Sequence, residues 1–139
     1  MTTFDRATRV LLALLAVAFV VSVVHYVDNV VNYTDYPAPA ADGPPAPTAV
    51  VIAVSWFIFT AAAVAGLWMW FHRRIVGAAL AFASYSISGL IGIGHYTVPG
   101  AIAMPWWRQA HVITDILCGI GVFAFAIWAL RRRRDLAAG

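Results

Sequence analysis

Four apolar stretches, residues 10–27, 49–71, 75–95 and 110–130, fill most of this 139-residue chain. Each is close to the ~20 residues that a helix needs to cross a bilayer. Hydrocarbon offers no partner to an exposed peptide group, so each stretch is expected to be a continuous helix whose backbone bonds close on themselves. The chain is 63% hydrophobic and 11% charged, with a mean hydropathy of +0.83, whereas about a quarter of the residues of a soluble domain are charged. The expected fold is an all-α integral membrane protein. It is a single domain, 1–139, built as a four-transmembrane-helix antiparallel bundle with helices at about 10–32, 49–72, 75–96 and 108–131.

All nine basic residues are arginine and all six acids are aspartate. With the N-terminus, the Arg73–Arg74 turn and the C-terminus inside, eight of the nine arginines are cytoplasmic and Arg108 alone lies outside. The positive-inside rule therefore predicts both termini in the cytoplasm. The net charge of +3 records this topology and gives no reason to invoke nucleic acid; the Arg131 to Arg134 run is expected to meet anionic headgroups. The first stretch exceeds the 7–15 apolar residues of a signal peptide and no small-residue cleavage site closely follows it, so it is read as a retained helix. The lysine-free, arginine-rich composition suggests a GC-rich bacterial genome, hence a bacterial cytoplasmic membrane with its bilayer as the first partner. A further membrane-protein partner or a homo-oligomer is left open.

Between the first two helices, residues 33–47 carry Pro37, Pro39, Pro44, Pro45 and Pro47 around Gly43. Proline at that density excludes helix and predicts an extended outer loop, either a passive connector or a lid across the bundle mouth. The second and third helices are joined so tightly at His72 to Arg74 that they are expected to be neighbours. His72 reads as a snorkelling interfacial side chain. Trp68, Trp70 and Trp128 are expected to mark the inner interface, and Tyr33, Tyr36, Tyr96, Trp106 and Trp107 the outer, with Trp56 in the core. Asp5 is available to cap the first helix. On the third helix, Ala81, Ser84, Ser88 and Gly92 form a small-residue line along which another helix can approach.

Function is hinted at by three histidines at the outer ends of three different helices. His95 is twenty residues beyond Ile75 and His111 nineteen back from Leu130, which puts both about 30 Å from the inner boundary. His25, sixteen beyond Arg9, reaches about 24 Å, so three imidazoles can share one layer. His25, Asp28, Asn29 and Asn32 share one helical face, as do His111 and Asp115. Asp115 lies one turn inside the apolar boundary. A lone carboxylate there costs on the order of 2.5–3.5 kcal/mol, so it must face inward and have a partner: His111 or Arg108 on its own helix, His25 or His95 across the bundle, or a metal.

Three readings follow. In the first, His25, His95, His111 and Asp115 or Asp28 bind a divalent cation (zinc, iron or copper), with the remaining aspartate as catalytic proton acceptor and Asn29, Asn32 and Arg108 in support. The use would be catalytic or redox, on a lipid-like or small apolar substrate at the extracytoplasmic face. In the second, a single b-type haem is held by His95 with His25 or His111, and Gly89, Gly92 and Gly94 make room for the macrocycle. In the third, the same groups form a hydrogen-bonded cap, His111 to Asp115 and Asp28 or Asp35 to Arg108, in a non-enzymatic accessory or assembly subunit or small-ligand-binding protein. A serine-based triad is not legible, because no serine accompanies the histidine layer. The Gly89 to Gly94 run lies within a spanning helix and so is no phosphate loop. Cys118, the sole cysteine, excludes an intramolecular disulfide and reads as a small core residue.

Overall fold

The computed structural model describes residues 2–40, 42–43 and 45–138, so Pro44 of the proline-rich segment lies outside the described residues. Secondary structure is entirely helical among them. Four helices are long and apolar enough to cross a membrane: α1 (Thr3–Val31), α2 (Ala49–Phe71), α3 (Ile75–Leu90) with its 3₁₀ continuation to Thr97, and α4 (Trp106–Arg131). A short α5 (Arg133–Ala138) follows.

α1 starts seven residues earlier than the apolar run suggests. Thr2 is the cap, its hydroxyl accepting from the Asp5 amide while the Asp5 carboxylate accepts from the Thr2 amide, and this reciprocal pair lets the basic lead join the helix. Twenty-nine residues make a rod of roughly 44 Å, longer than the hydrocarbon layer, so the arginine-bearing first turns and the polar last turns both extend toward headgroups.

At the end of the bundle that carries the termini, Phe4 stacks on Trp70 with ring centroids 5.1 Å apart, and the Trp70 indole donates to Thr8 Oγ1 at 2.9 Å. Trp70 is fully buried, packed also on Phe82 and Phe125. It is therefore a core residue and not an interfacial marker, because its N–H finds a hydrogen-bond partner on α1. Arg73 turns the chain between α2 and α3 with φ +59°, lays its guanidinium 3.4 Å above the Phe4 ring and donates to the Leu136 carbonyl.

α3 and α4 meet at contact distance through glycine. A methyl group on Gly89 would collide with the backbone carbonyl of Asp115, and one on Gly119 would lie 2.8 Å from the Ser86 carbonyl. The closest approach thus runs through Ser86, Gly89 and Gly119. Of the expected line, Ser88 and Gly92 are buried, Gly92 lies against Ile116 of α4 and Ala81 against Gly66 of α2, whereas Ser84 is exposed and satisfies its hydroxyl on the Leu80 carbonyl. Beyond Leu90 the helix tightens to 3₁₀ from Ile91 to Thr97. Gly92 and Gly94 there lower the cost of leaving the α-helical ladder. α2 lies outermost, with Gly66 and Trp70 its buried residues and Val50, Phe57, Ile58 and Val64 exposed, the pattern of a surface facing lipid.

Candidate functional site

The close α3–α4 seam presses the backbone of Asp115 against α3, so its side chain projects across the bundle toward α1. Asp115 Oδ2 accepts from His25 Nδ1 at 2.7 Å, and both residues are 2% exposed. Of the partners open to Asp115, the structure selects the one across the bundle. His111, one turn away on the same helix, points elsewhere.

With Nδ1 bound to the carboxylate, His25 presents Nε2 outward. There it faces His95 Nε2 at 3.4 Å. The 3₁₀ segment is what brings His95 inward, since its tighter winding rotates residue 95 toward α1. Asn29, one turn beyond His25, donates from Nδ2 to the same His95 nitrogen at 3.0 Å. His111 flanks the other side, its ring centroid 5.5 Å from that of His25, which is also the His25–His95 centroid separation. His111 Nε2 lies 3.2 Å from Asp28 Oδ2, yet out of line for a hydrogen bond, so both of its ring nitrogens are buried without a partner.

Asp28 is the centre of a second network. Its Oδ1 accepts from Asn32 at 2.7 Å, and its Oδ2 accepts from Tyr36 at 2.6 Å and from Arg108 Nε at 2.9 Å. Arg108, 3% exposed, also reaches the Asp35 carboxylate and carbonyl at 3.3 Å and is sandwiched between the rings of Tyr36 and Trp107. Burial and the Asp28 carboxylate both raise the pKa of the Tyr36 phenol above its ordinary value, so it stays protonated and serves as donor. Its ring covers His95 at a centroid distance of 4.9 Å. The start of the proline-rich loop is thereby strapped over the imidazoles, and Tyr33, donating to the Pro47 carbonyl, ties the two ends of the loop together.

Sequence reasoning took Tyr36 only as an interfacial aromatic. The sequence carries no signal that a residue eight positions beyond Asp28 returns to it, because that depends on the turn at Tyr33–Asp35. On the inner side of Asp115 a cavity of about 10 Å³ is bordered by Tyr85, Ser88 and Cys118, room for about one water, and the Ser88 hydroxyl there is buried without a partner. Cys118 is a buried free thiol. His72 is exposed at the opposite end, bonded to the Trp68 carbonyl with its ring tilted against the indole at a centroid distance of 4.4 Å.

These features define a class, a helical-bundle membrane protein with a buried imidazole–carboxylate centre at one mouth. No protein-family model matches the chain, and no curated protein or solved structure matches it. Among the described residues, no three His, Cys, Asp or Glu side chains stand together as a ready-made ligand set for a metal ion. His25 and His95 form a facing pair, with His111 one ring away and Asp115 bonded behind His25.

Proposed function

We propose that the protein is an antiparallel four-helix bundle of the bacterial cytoplasmic membrane, both termini cytoplasmic. In this reading its outward-facing centre binds one divalent transition-metal ion for catalytic or redox chemistry on a small apolar or lipid-like substrate. The observation that carries this reading is the 3.4 Å gap between His25 Nε2 and His95 Nε2. In a tetrahedral site with bonds of ~2.0–2.1 Å, two ligand nitrogens stand about 3.3–3.4 Å apart. As a direct N–H···N hydrogen bond the same gap is long. With the Nδ1 proton of His25 kept in its hydrogen bond to Asp115 and His95 Nε2 accepting from Asn29, the two facing Nε2 atoms have no proton between them and repel each other. A cation between them removes that repulsion.

His25 and His95 are then ligands, and His111, one ring away with both ring nitrogens buried and unpartnered, supplies the third once its ring turns from Asp28 toward the gap. Asp115 is the carboxylate behind the ligand that fixes the His25 tautomer and the orientation of its ring. Asn29 gives up one hydrogen bond to His95 when the ion binds, worth about 1 kcal/mol. That is small beside the free energy of a three-imidazole site. Asp28, already holding three donors, is a support for the mouth and a poor proton acceptor.

The haem reading fits less well. An iron between two axial imidazoles separates the nitrogens by roughly 4 Å and requires a flat slot. Here Asn29 is wedged beside the pair, and the α3–α4 seam is closed.

Elemental analysis of the purified protein, loaded with zinc, iron or copper and freed of excess, tests the proposal. One ion per chain is expected in the wild type and less than about a tenth of that in His25→Ala and His95→Ala, with helical content retained in both. No bound ion and no Soret absorbance would leave the centre as a proton-bridged cap in a non-enzymatic subunit.

A further inference from the structure

At the opposite end of the bundle, the α2–α3 turn and α5 enclose an open groove of about 440 Å³, lined by Arg73, Arg74, Arg133 and Arg134 above a floor of Ile75 to Gly77. We propose that this groove is a binding site for the phosphodiester headgroup of one anionic phospholipid.

Charge comes first. Of the two aspartates at this end, Asp5 is occupied by Thr2, and Asp135 pairs with Arg132. Among the described residues no carboxylate lies within ion-pair distance of any of the four groove arginines. Arg73 is fixed in the wall by the Leu136 carbonyl and the Phe4 ring, and Arg133 reaches back to the Leu130 carbonyl. Arg74 lies over the Trp68 ring. Three of the four guanidinium groups, those of Arg73, Arg74 and Arg133, are thus held by neutral partners, which leaves their charge for an external anion. A planar guanidinium with free N–H edges matches phosphate oxygens.

The floor then selects the source of the phosphate. Val76 and Leu80, one turn apart on α3, are exposed, and Ile87 continues the same face. An apolar track therefore leads from the arginines toward the middle of the membrane. A soluble phosphate would use the first feature and leave the second idle; a lipid uses both.

The full-length protein in a neutral detergent, given phosphatidylglycerol or phosphatidylcholine and examined by native mass spectrometry, provides the test. Retention of one phosphatidylglycerol per chain, in preference to phosphatidylcholine, is expected. Arg74→Gln/Arg134→Gln should weaken retention by ~10-fold or more, while Arg6→Gln/Arg9→Gln, which removes the same charge from exposed positions outside the groove, should change it by less than about 3-fold. Equal losses in the two double variants would mean a diffuse basic surface and overturn the proposal. So would displacement of the lipid by inorganic phosphate alone at comparable concentration. Circular dichroism of each variant separates loss of the site from loss of the fold.

Discussion

His25 presents its two ring nitrogens to neighbours of different character, a buried carboxylate on one side and a second imidazole on the other. The first contact governs the second, because a proton held on Nδ1 by Asp115 leaves Nε2 as the free donor atom. Asp115→Asn keeps the shape but removes the charge and lets the ring choose the wrong tautomer. Metal affinity, measured by competition with a chromophoric chelator, is expected to fall 10- to 100-fold with the helical content unchanged. An affinity equal to wild type would remove Asp115 from the proposed centre. The residue types of this cluster were legible in the sequence, since three histidines at helix ends and an intramembrane acid are costly to place anywhere else. The pairing was not. His111 and Asp115 are one turn apart on the same helix and were an obvious couple, but small helix rotations decide which of two aspartates each imidazole meets.

At the level of the element, the α3–α4 seam sets the position of Asp115. Gly119→Ala puts a methyl group 2.8 Å from the Ser86 carbonyl and 2.9 Å from the Leu90 amide nitrogen. Both contacts are backbone and cannot rotate away, so the helices must part. A loss of about 1–3 kcal/mol is expected, readable as a lowered midpoint in detergent-mediated unfolding; an unchanged midpoint would show that the seam has slack. The sequence revealed a small-residue line of which Ala81, Ser88 and Gly92 do pack, but it missed Ser86 and Gly89, where α4 comes nearest, and misplaced Ser84. Nearly every position of α3 is small or apolar, so no contrast between polar and apolar faces marks the packed side. Nor was the 3₁₀ end of α3 legible. Gly92 and Gly94 permit it, but nothing in their spacing demands it.

For the whole molecule, the arrangement of arginines and helix ends predicts sidedness. In a Cys118→Ser background, Ala38→Cys should be labelled in intact cells by a membrane-impermeant maleimide, and Ala137→Cys only after lysis. Reversed labelling would place the imidazoles at the cytoplasmic surface and remove the outward-facing part of the proposal. The number of spanning helices and their approximate places followed from hydropathy alone, because a bilayer leaves a chain few alternatives, although α1 begins seven residues before its apolar run. The bonds of Arg108 to Asp28 and Asp35 were among those expected, but the return of Tyr36 to Asp28 was not, since a proline-rich loop has no periodicity to reveal where it returns. α2, finally, contributes no side chain to the imidazole cluster and buries little of itself. Yet α1 and α3 both finish at the histidine end, and a chain can repeat a direction of travel only after a return stroke. The outermost helix thus acts by parity: a crossing that touches none of the reactive nitrogens determines that His95 arrives on the same shore as His25.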